Sequence, residues 1–154
     1  MTVMPNPLIL YDGVCGLCNR FVQFVFRHDR KAIFRFVSLQ SPLAARILSA
    51  HGASAIDLDT VYVIRNFDPA HPDLANPENE AGAQPLLSRS DAVMFVLQEL
   101  GGLWRALALV LRCFPRFIRD WGYRVIAGNR YRIFGRYPIC PVPGPSVRNR
   151  FLDL

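Results

Sequence analysis

Alternating apolar and polar segments predict two strand–helix pairs near the N-terminus. Residues 8–11 form a short apolar run that ends in an Asp-Gly turn, which predicts a buried strand. From Cys15 onward, apolar side chains recur every three to four residues, a spacing typical of one helix face. Residues 33–37 then predict a second strand, and the Ser-Pro pair at residues 41–42 predicts the start of a second helix.

The middle of the chain predicts two more strands with a long insertion between them. Residues 60–64 are rich in β-branched side chains and predict a strand. Residues 66–84 contain several prolines and acidic residues, which predict a long hairpin insertion. Residues 85–88 return as a short strand.

The last part of the chain predicts further helices, and the order of all the predicted strands and helices indicates a fold class. Ser90 and Asp91 predict a helix start, and helical periodicity then continues to about Asn129 with a break near Pro115. A strand–helix–strand unit followed by two strands and a helix predicts a thioredoxin-like α/β fold, with a four-stranded mixed sheet flanked by helices. We expect residues 1–102 to form this core and residues 103–154 to form a basic helical C-terminal extension packed on the same domain.

Charge is distributed unevenly over the 154 residues. The chain carries a formal net charge of +6, yet ten arginines follow Trp104 and only Asp120 and Asp153 oppose them. A basic C-terminal half suits an acidic partner, such as a membrane surface or an acidic protein patch, but it also fits a solvated face without a partner. No nucleic-acid-binding motif accompanies the charge, so we expect no nucleic-acid partner.

The apolar segments do not predict a membrane span or an export signal. The longest candidate, residues 101–114, is interrupted by Arg105 and Arg112. The N-terminus lacks a basic region followed by an apolar core, so we expect a cytoplasmic protein. In a reducing compartment, two cysteines separated by two residues are more often catalytic or metal-binding than structural.

Cys15 and Cys18 are the candidate catalytic pair. A helix start lowers the pKa of a thiol through its unpaired N–H groups and its dipole. Cys15 lies at this start, and Cys18 follows one turn later. We therefore predict that Cys15 attacks a substrate disulfide and that Cys18 resolves the mixed disulfide.

A metal half-site and two plain structural cysteines remain alternatives for this pair. Cys113 and Cys140 are isolated in sequence, and the histidines are scattered, so no zinc spacing is evident. We expect no metal and no other cofactor. Cys113 lies on an apolar helix and is expected in the core.

Two acidic positions are further candidates. Asp12 either orients or deprotonates the dithiol, or it serves as a turn residue that caps the helix. Ser90 and Asp91 either bind a substrate carboxylate at their helix start or form an ordinary N-cap.

The segments "YDGVCGLCNRFVQFVFRHD", "FVSLQSPLAARIL", "SRSDAV" and "YRVIAGNRYRIFGR" resemble the DCC family of thiol–disulfide oxidoreductases over residues 8–151. The family name refers to its Asp-x-x-Cys-x-x-Cys motif, here Asp12, Cys15 and Cys18. The resemblance implies a thioredoxin-like fold and a dithiol activity with poorly defined substrates. The "SRSDAV" segment is also similar to the glutaredoxin helix start that holds a γ-glutamyl group, which favours a small thiol such as glutathione.

One feature of thioredoxins and glutaredoxins is missing from the sequence. These proteins carry a cis-proline before the third strand, and here Tyr62 stands about where it would fall. Tyr62 is therefore a candidate substrate-binding residue, and docking of a protein disulfide would differ from theirs. Cys140 is a candidate third redox cysteine, with a spectator role as the alternative.

The leading prediction is a thiol–disulfide oxidoreductase that acts on a small thiol or a protein disulfide. The alternative is a non-catalytic thioredoxin-like module whose basic half binds a membrane surface or an acidic partner. The sequence leaves the oligomeric state open.

Overall fold

The chain alternates strands and helices along most of its length. A computed structural model describes residues 6–53, 60–67, 86–137, 144–145 and 148–152. Its elements are β1 (Asn6–Tyr11), α1 (Gly16–His28), β2 (Arg35–Ser38), α2 (Pro42–Ala50), β3 (Tyr62–Phe67), β4 (Leu87–Ser88), α3 (Arg89–Leu100), α4 (Gly102–Arg112), α5 (Arg116–Phe134) and a 3-10 turn (Arg148–Arg150).

The four strands form one mixed sheet in the order β2-β1-β3-β4. β1 pairs with β2 in parallel, whereas β3 runs antiparallel to both β1 and β4. The parallel pair is connected through α1, as a β-α-β unit requires. This arrangement confirms the predicted α/β class and is consistent with a thioredoxin-like fold.

The sheet separates two apolar layers. Ile9 and Val63 pack beneath α1 and α3 on one face, whereas Leu10 and Ile64 pack against α2 on the other. Adjacent strand residues point to opposite faces, so the two central strands contribute to both layers. The buried apolar run predicted for the first strand is therefore the middle of the sheet, covered on both sides.

Capping residues explain where the first two helices begin. Ser41 is the N-cap of α2, and its hydroxyl accepts a hydrogen bond from the N–H of Ala44 at 3.2 Å. Pro42 occupies the first turn, where its missing N–H costs nothing. The N-cap of α1 is Cys15, a residue with a chemical role as well.

Three predicted details of the helices are wrong. α5 extends to Phe134 rather than ending near Asn129. α3 begins at Arg89 with Ser88 as its N-cap, so Ser90 lies inside the helix. Cys113 is exposed rather than part of the core, because α4 packs on α3 through Trp104, Ala108 and Leu111 on a different side. Most of the predicted insertion at residues 66–84 lies outside the described residues.

The two long helices after residue 101, α4 and α5, pack on the rest of the domain. α4 contacts α3, and α5 contacts both α1 and α3. Among the helices in the described part of the chain, none combines the length and apolarity needed to cross a bilayer. The division of the chain at residue 102 stays a prediction.

A buried ion pair fastens the C-terminal residues to the sheet. Asp29, the C-cap of α1, forms a short ion pair with the Arg150 guanidinium and accepts a hydrogen bond from Phe34 N–H at 3.0 Å. Arg150 Nε donates to the Phe34 carbonyl at 3.0 Å, and its guanidinium lies over the rings of Phe26 and Phe36. Both charged side chains are buried, so each depends on the other for compensation.

We predict that Asp29→Ala lowers the free energy of unfolding by about 3–5 kcal/mol, because it leaves Arg150 buried without its counter-charge. Denaturant titration measures the change. Arg116→Ala is the matched control, since the Arg116 side chain is 69% exposed where it pairs with Asp91 and its loss is expected to cost less than about 1 kcal/mol. Equal effects of the two substitutions would contradict the prediction.

Candidate active site

Cys15 and Cys18 lie at the junction between the end of β1 and the start of α1. Cys15 has extended backbone angles, with φ −82° and ψ 124°, and its sulfur accepts a hydrogen bond from the N–H of Cys18 at 3.5 Å. The sulfur thus fills the position that a serine or aspartate oxygen takes at other helix starts. Both cysteines are buried, and both are free thiols.

The surroundings of Cys15 favour its thiolate. The hydrogen bond from the Cys18 thiol is the largest cause, and together with backbone N–H groups of Cys18 and Leu17 and the charge of Arg130 it lowers the pKa of Cys15 to about 6. Burial opposes this shift but is outweighed. Cys15 is therefore largely ionised at neutral pH, which is the nucleophilic form of a thiol.

Cys18 has the opposite tendency. Its hydrogen bond to Cys15 raises the pKa of the Cys18 thiol strongly, and burial and the negative charge of Cys15 act in the same direction. Cys18 therefore keeps its proton as long as Cys15 is a thiolate. The two cysteines share one negative charge, held on Cys15.

The Asp12 carboxylate joins three separate parts of the chain. Its Oδ1 accepts hydrogen bonds from Val14 N–H at 3.1 Å and from Gln40 Nε2 at 2.7 Å. Its Oδ2 accepts from Tyr131 Oη at 2.5 Å and lies 3.4 Å from Arg130 Nη2. The contact with Val14 is the turn interaction that the Asp-Gly pair predicted, and the other contacts tie the turn to α5 and to the loop after β2.

Arg130 is the charged residue that the sequence interpretation missed. It lies on α5, is buried, and pairs with Asp12 across 118 residues of sequence. Its Nη2 also donates to Tyr131 Oη at 2.9 Å. Its positive charge lowers the pKa of both cysteines. The only available signal was its place in the "YRVIAGNRYRIFGR" segment, where nothing distinguishes it from the neighbouring arginines.

Tyr131 acts as a hydrogen-bond donor in this cluster. Burial raises the pKa of Tyr131, and its hydrogen bond to Asp12 raises it further. The phenol therefore stays protonated and holds the Asp12 carboxylate in place. Its ring also lies against the guanidinium groups of Arg130 and Arg136.

The last residue of α5 and the residues that follow it lie against the backbone around Cys15. Gly16 N–H donates to the Gly135 carbonyl at 3.1 Å, Tyr137 N–H donates to the Val14 carbonyl at 2.7 Å, and Cys15 forms an isolated bridge with Arg136. A Cβ atom at Gly16 would lie 2.2 Å from the Phe134 carbonyl oxygen, so only glycine allows this approach. Residues 134–137 are called the cover below.

A mostly apolar cavity of about 230 Å³ adjoins Cys18. Val61, Tyr123 and Ile126 line it, and Arg130 contributes charge to its wall. The Tyr123 hydroxyl accepts a hydrogen bond from Val61 N–H at 3.0 Å. Burial raises the pKa of Tyr123 to about 12. This cavity offers space for a small substrate group beside the dithiol.

Ser90 and Asp91 are engaged within the protein. The Ser90 hydroxyl donates a short hydrogen bond to Asp120. The Asp91 carboxylate lies 2.8 Å from Arg116 Nη2 and 3.8 Å from Arg119 Nη1. These contacts tie α3 to α5, and a substrate-binding role for either residue stays a prediction.

The remaining predicted residues lie away from the dithiol or outside the described chain. The Tyr62 side chain packs in the α2 layer, on the opposite face of the sheet from Cys15 and Cys18. Its neighbour Val61 lines the cavity beside Cys18. The predicted contact of Tyr62 with substrate is not shown by this placement and stays a prediction. Cys140 lies outside the described residues. Within the described part of the chain, no three His, Cys, Asp or Glu side chains cluster as a metal site would require.

Most of the chain matches a known protein family. Residues 9–136 match the model of the DCC1-like thiol–disulfide oxidoreductase family, which covers both cysteines, Asp12, Arg130 and the start of the cover. The chain belongs to this family. The resemblance noted from the sequence segments is thereby confirmed, and family membership supports a general thiol–disulfide oxidoreductase role.

Two proteins are similar to this chain over most of its length. The uncharacterized protein YuxK of Bacillus subtilis is 33% identical over 149 residues, which is 97% of this chain and 96% of that protein. A chloroplastic DCC family protein of Arabidopsis thaliana is 34% identical over 135 residues, which is 88% of this chain and 69% of that protein. No solved structure matches the chain significantly.

We predict that Cys15 titrates with a midpoint near pH 6, where an unperturbed thiol titrates at about 8.5. Because the pKa is lowered, the rate of Cys15 alkylation rises as pH increases through about 6 and is level above pH 7. Thiolate absorbance in the ultraviolet and mass-mapped alkylation measure it. Cys18→Ala removes the largest stabilising hydrogen bond and shifts the midpoint upward, whereas Cys113→Ser leaves it unchanged. A Cys15 rate that still rises above pH 8 would contradict the prediction.

Gly16→Ala is predicted to displace the cover, because the added Cβ would collide with the Phe134 carbonyl. The expected result is faster alkylation of Cys15 at fixed pH together with a lower denaturation midpoint. Gly122→Ala is the matched control, since it lies within α5 and no atom stands within 4 Å of its added Cβ. There we expect unchanged alkylation and a stability gain of about 0.5–1 kcal/mol. Identical behaviour of the two variants would show that Gly16 is not sterically required.

Proposed function

We propose that this protein is a thiol–disulfide oxidoreductase in which Cys15 is the nucleophile and Cys18 the resolving cysteine. The observation that carries the proposal is the position of the Cys15 sulfur at the N-cap of α1, where it accepts a hydrogen bond from the N–H of Cys18 at 3.5 Å. The pKa of Cys15 is lowered to about 6, while that of Cys18 is raised by its hydrogen bond to Cys15. Such a pair supplies a thiolate that attacks the substrate and a protonated thiol that later resolves the mixed disulfide.

In the first step, the Cys15 thiolate attacks one sulfur of a substrate disulfide. The substrate S–S bond breaks, a mixed disulfide forms at Cys15, and the other substrate sulfur leaves as a thiolate. In the second step, Cys18 gives its proton to that leaving thiolate and attacks the Cys15 sulfur. The second substrate thiolate leaves, the substrate is reduced by two electrons, and a Cys15–Cys18 disulfide remains. The same steps in reverse oxidise a substrate dithiol.

The order of the two steps follows from electrostatics. Cys18 keeps its proton chiefly because it hydrogen-bonds to a charged Cys15. Once Cys15 is in a mixed disulfide, that charge is gone, and the pKa of Cys18 falls. Arg130 continues to favour the Cys18 thiolate. The first step thus activates the second.

Asp12, Arg130 and Tyr131 act as positioning residues in this proposal. Arg130 brings a positive charge to the dithiol, and Asp12 compensates that charge at 3.4 Å in a buried setting. Tyr131 holds Asp12 through its phenol. Direct proton transfer between Asp12 and the dithiol is not needed for the steps above.

A small disulfide suits the site better than a protein disulfide. Cys15 is fully buried and the cover lies over it, so a substrate reaches it only when the cover moves. The cavity beside Cys18 has a volume of about 230 Å³, which accommodates a small group. Glutathione disulfide is one candidate substrate, and Ser90 and Asp91 are the residues proposed to contact it. A reducing compartment such as the cytoplasm would keep Cys15 and Cys18 in the reduced form that attacks a disulfide.

Single-turnover reaction of the reduced protein with a chromogenic aromatic disulfide tests the proposal. The background is the double variant Cys113→Ser and Cys140→Ser, since Cys113 is exposed and would react by itself. This background is expected to release two aryl thiolates per protein and to end with a Cys15–Cys18 disulfide. Cys15→Ser abolishes the fast release. Cys18→Ser releases one thiolate and stops at a mixed disulfide on Cys15.

Mass mapping of the product distinguishes the remaining outcomes. A stable mixed disulfide on Cys18 would overturn the assigned roles. Restoring Cys140 alone in the background tests the third cysteine, because a Cys15–Cys140 product identifies it as redox-active. Absence of fast release from the background protein would favour the second candidate, a non-catalytic module that uses its exposed basic helices for binding.

A further inference from the structure

Exposed apolar side chains are concentrated on α4, α5 and the turn between them. The most exposed are Leu103 at 76%, Phe117 at 70% and Trp121 at 64%. Of the large hydrophobic residues that are exposed in the described chain, all except Tyr137 lie between residues 103 and 133. Large exposed patches of this kind mark binding surfaces rather than ordinary solvated faces.

Helical spacing arranges these side chains in stripes. On α4, exposed apolar residues recur at every third or fourth position; the same spacing recurs separately on α5, and Phe114 lies in the turn between the two helices. The stripes consist of Leu103, Leu107, Val110, Phe114, Phe117, Trp121 and Val125. They are called the α4–α5 apolar stripes below.

The core does not use these stripes. α4 turns Trp104, Ala108 and Leu111 toward α3, and α5 turns Ala127 and Arg130 inward. Each helix thus packs on the rest of the protein through one face and exposes an apolar stripe to solvent on another face. The exposed aromatic residues Phe114, Phe117 and Trp121 are of the type that enters the boundary between lipid headgroups and acyl chains.

The positive charge beside the α4–α5 apolar stripes indicates which kind of partner binds them. Exposed arginines accompany the stripes at residues 105, 112, 116, 124 and 132, and Asp120 is the single acidic residue in the sequence between 102 and 134. A second copy of this chain would place arginines opposite arginines, which is unfavourable. A surface of anionic phospholipid offers both opposite charge and an apolar layer.

We propose that α4 and α5 bind the protein to the surface of an anionic phospholipid membrane. The helices lie in the interface plane, with Phe117 and Trp121 among the inserted residues. Arginines such as Arg124 extend their aliphatic stems along the apolar layer and place their charge at the headgroups. This binding is separate from the dithiol chemistry and does not require it.

Tryptophan fluorescence tests the insertion, because the chain has two tryptophans in different settings. Trp104 packs against the rings of Phe24 and His28, whereas Trp121 is exposed. With Trp104→Phe, we expect the emission of Trp121 to shift to the blue on addition of vesicles of phosphatidylglycerol and phosphatidylcholine. With Trp121→Phe, the emission of Trp104 is expected to stay unchanged on the same vesicles. No shift in the first variant would overturn insertion of α5.

Vesicle sedimentation measures the binding itself. Co-sedimentation is expected with mixed anionic vesicles and not with phosphatidylcholine alone, and it weakens as salt is added. Arg124→Gln is expected to weaken binding about fivefold, and Phe117→Ser combined with Leu107→Ser to abolish it. Tyr137→Ser, which removes an exposed apolar residue outside α4 and α5, leaves binding unchanged and serves as the matched control.

Three outcomes would overturn the proposal. One is no binding to anionic vesicles at physiological ionic strength. Another is equal binding to vesicles of phosphatidylcholine alone, which would remove the role of charge. The third is a stable dimer that Phe117→Ser dissociates, which would assign the stripes to a second copy of the chain. Circular dichroism of each variant confirms that the loss of binding does not reflect unfolding.

Discussion

The buried contact of Asp12 with Arg130 and Tyr131 is the interaction on which the site depends. Asp12 directly follows the first strand, whereas Arg130 and Tyr131 lie on α5, 118 and 119 residues later in the sequence. A buried charge without its partner is strongly destabilising, so the strand end and α5 stabilise the folded protein only together. The same contact brings the guanidinium to the cysteines. The ion pair thus attaches the C-terminal helices and also places the Arg130 charge where it adds to the acidity of Cys15, which is due mainly to the hydrogen bond from Cys18.

The first helix adds the second constraint. Its N-cap is the sulfur of Cys15, so the group that completes the helix is also the proposed nucleophile. When Cys15 enters a mixed disulfide, the helix start loses a charged acceptor and Cys18 loses the thiolate that held its proton. A covalent change at the Cys15 sulfur therefore alters both the N-cap of α1 and the acidity of the Cys18 thiol. This couples the two cysteines more tightly than proximity alone would.

The features that sequence could predict are those set by neighbouring residues. The strand at residues 8–11, the helix start at Cys15 and the capping by Ser41 depend on local patterns, and the order of elements then gives the sheet. Arg130 could not be predicted, because its burial depends on Asp12 far away in sequence. The prediction that Cys113 lies in the core is wrong for a related reason, namely that burial depends on contacts between distant parts of the chain. Its helix is apolar on several sides, and tertiary packing alone selects the side that is buried.

Gly16 restricts how this dithiol can vary. In a Cys-x-x-Cys motif, the two intervening residues are natural positions for adjusting the redox potential, but here the first is committed to the close approach of the Phe134 carbonyl. Any side chain at that position moves the cover before it changes the electronics of the sulfurs. In this chain, Leu17 and the groups around the motif are therefore the positions where a substitution leaves the contact of Gly16 with Phe134 unchanged. A member of the family with a larger residue at this place would have a differently covered site, so the identity of one residue serves as a marker of how the dithiol is shielded.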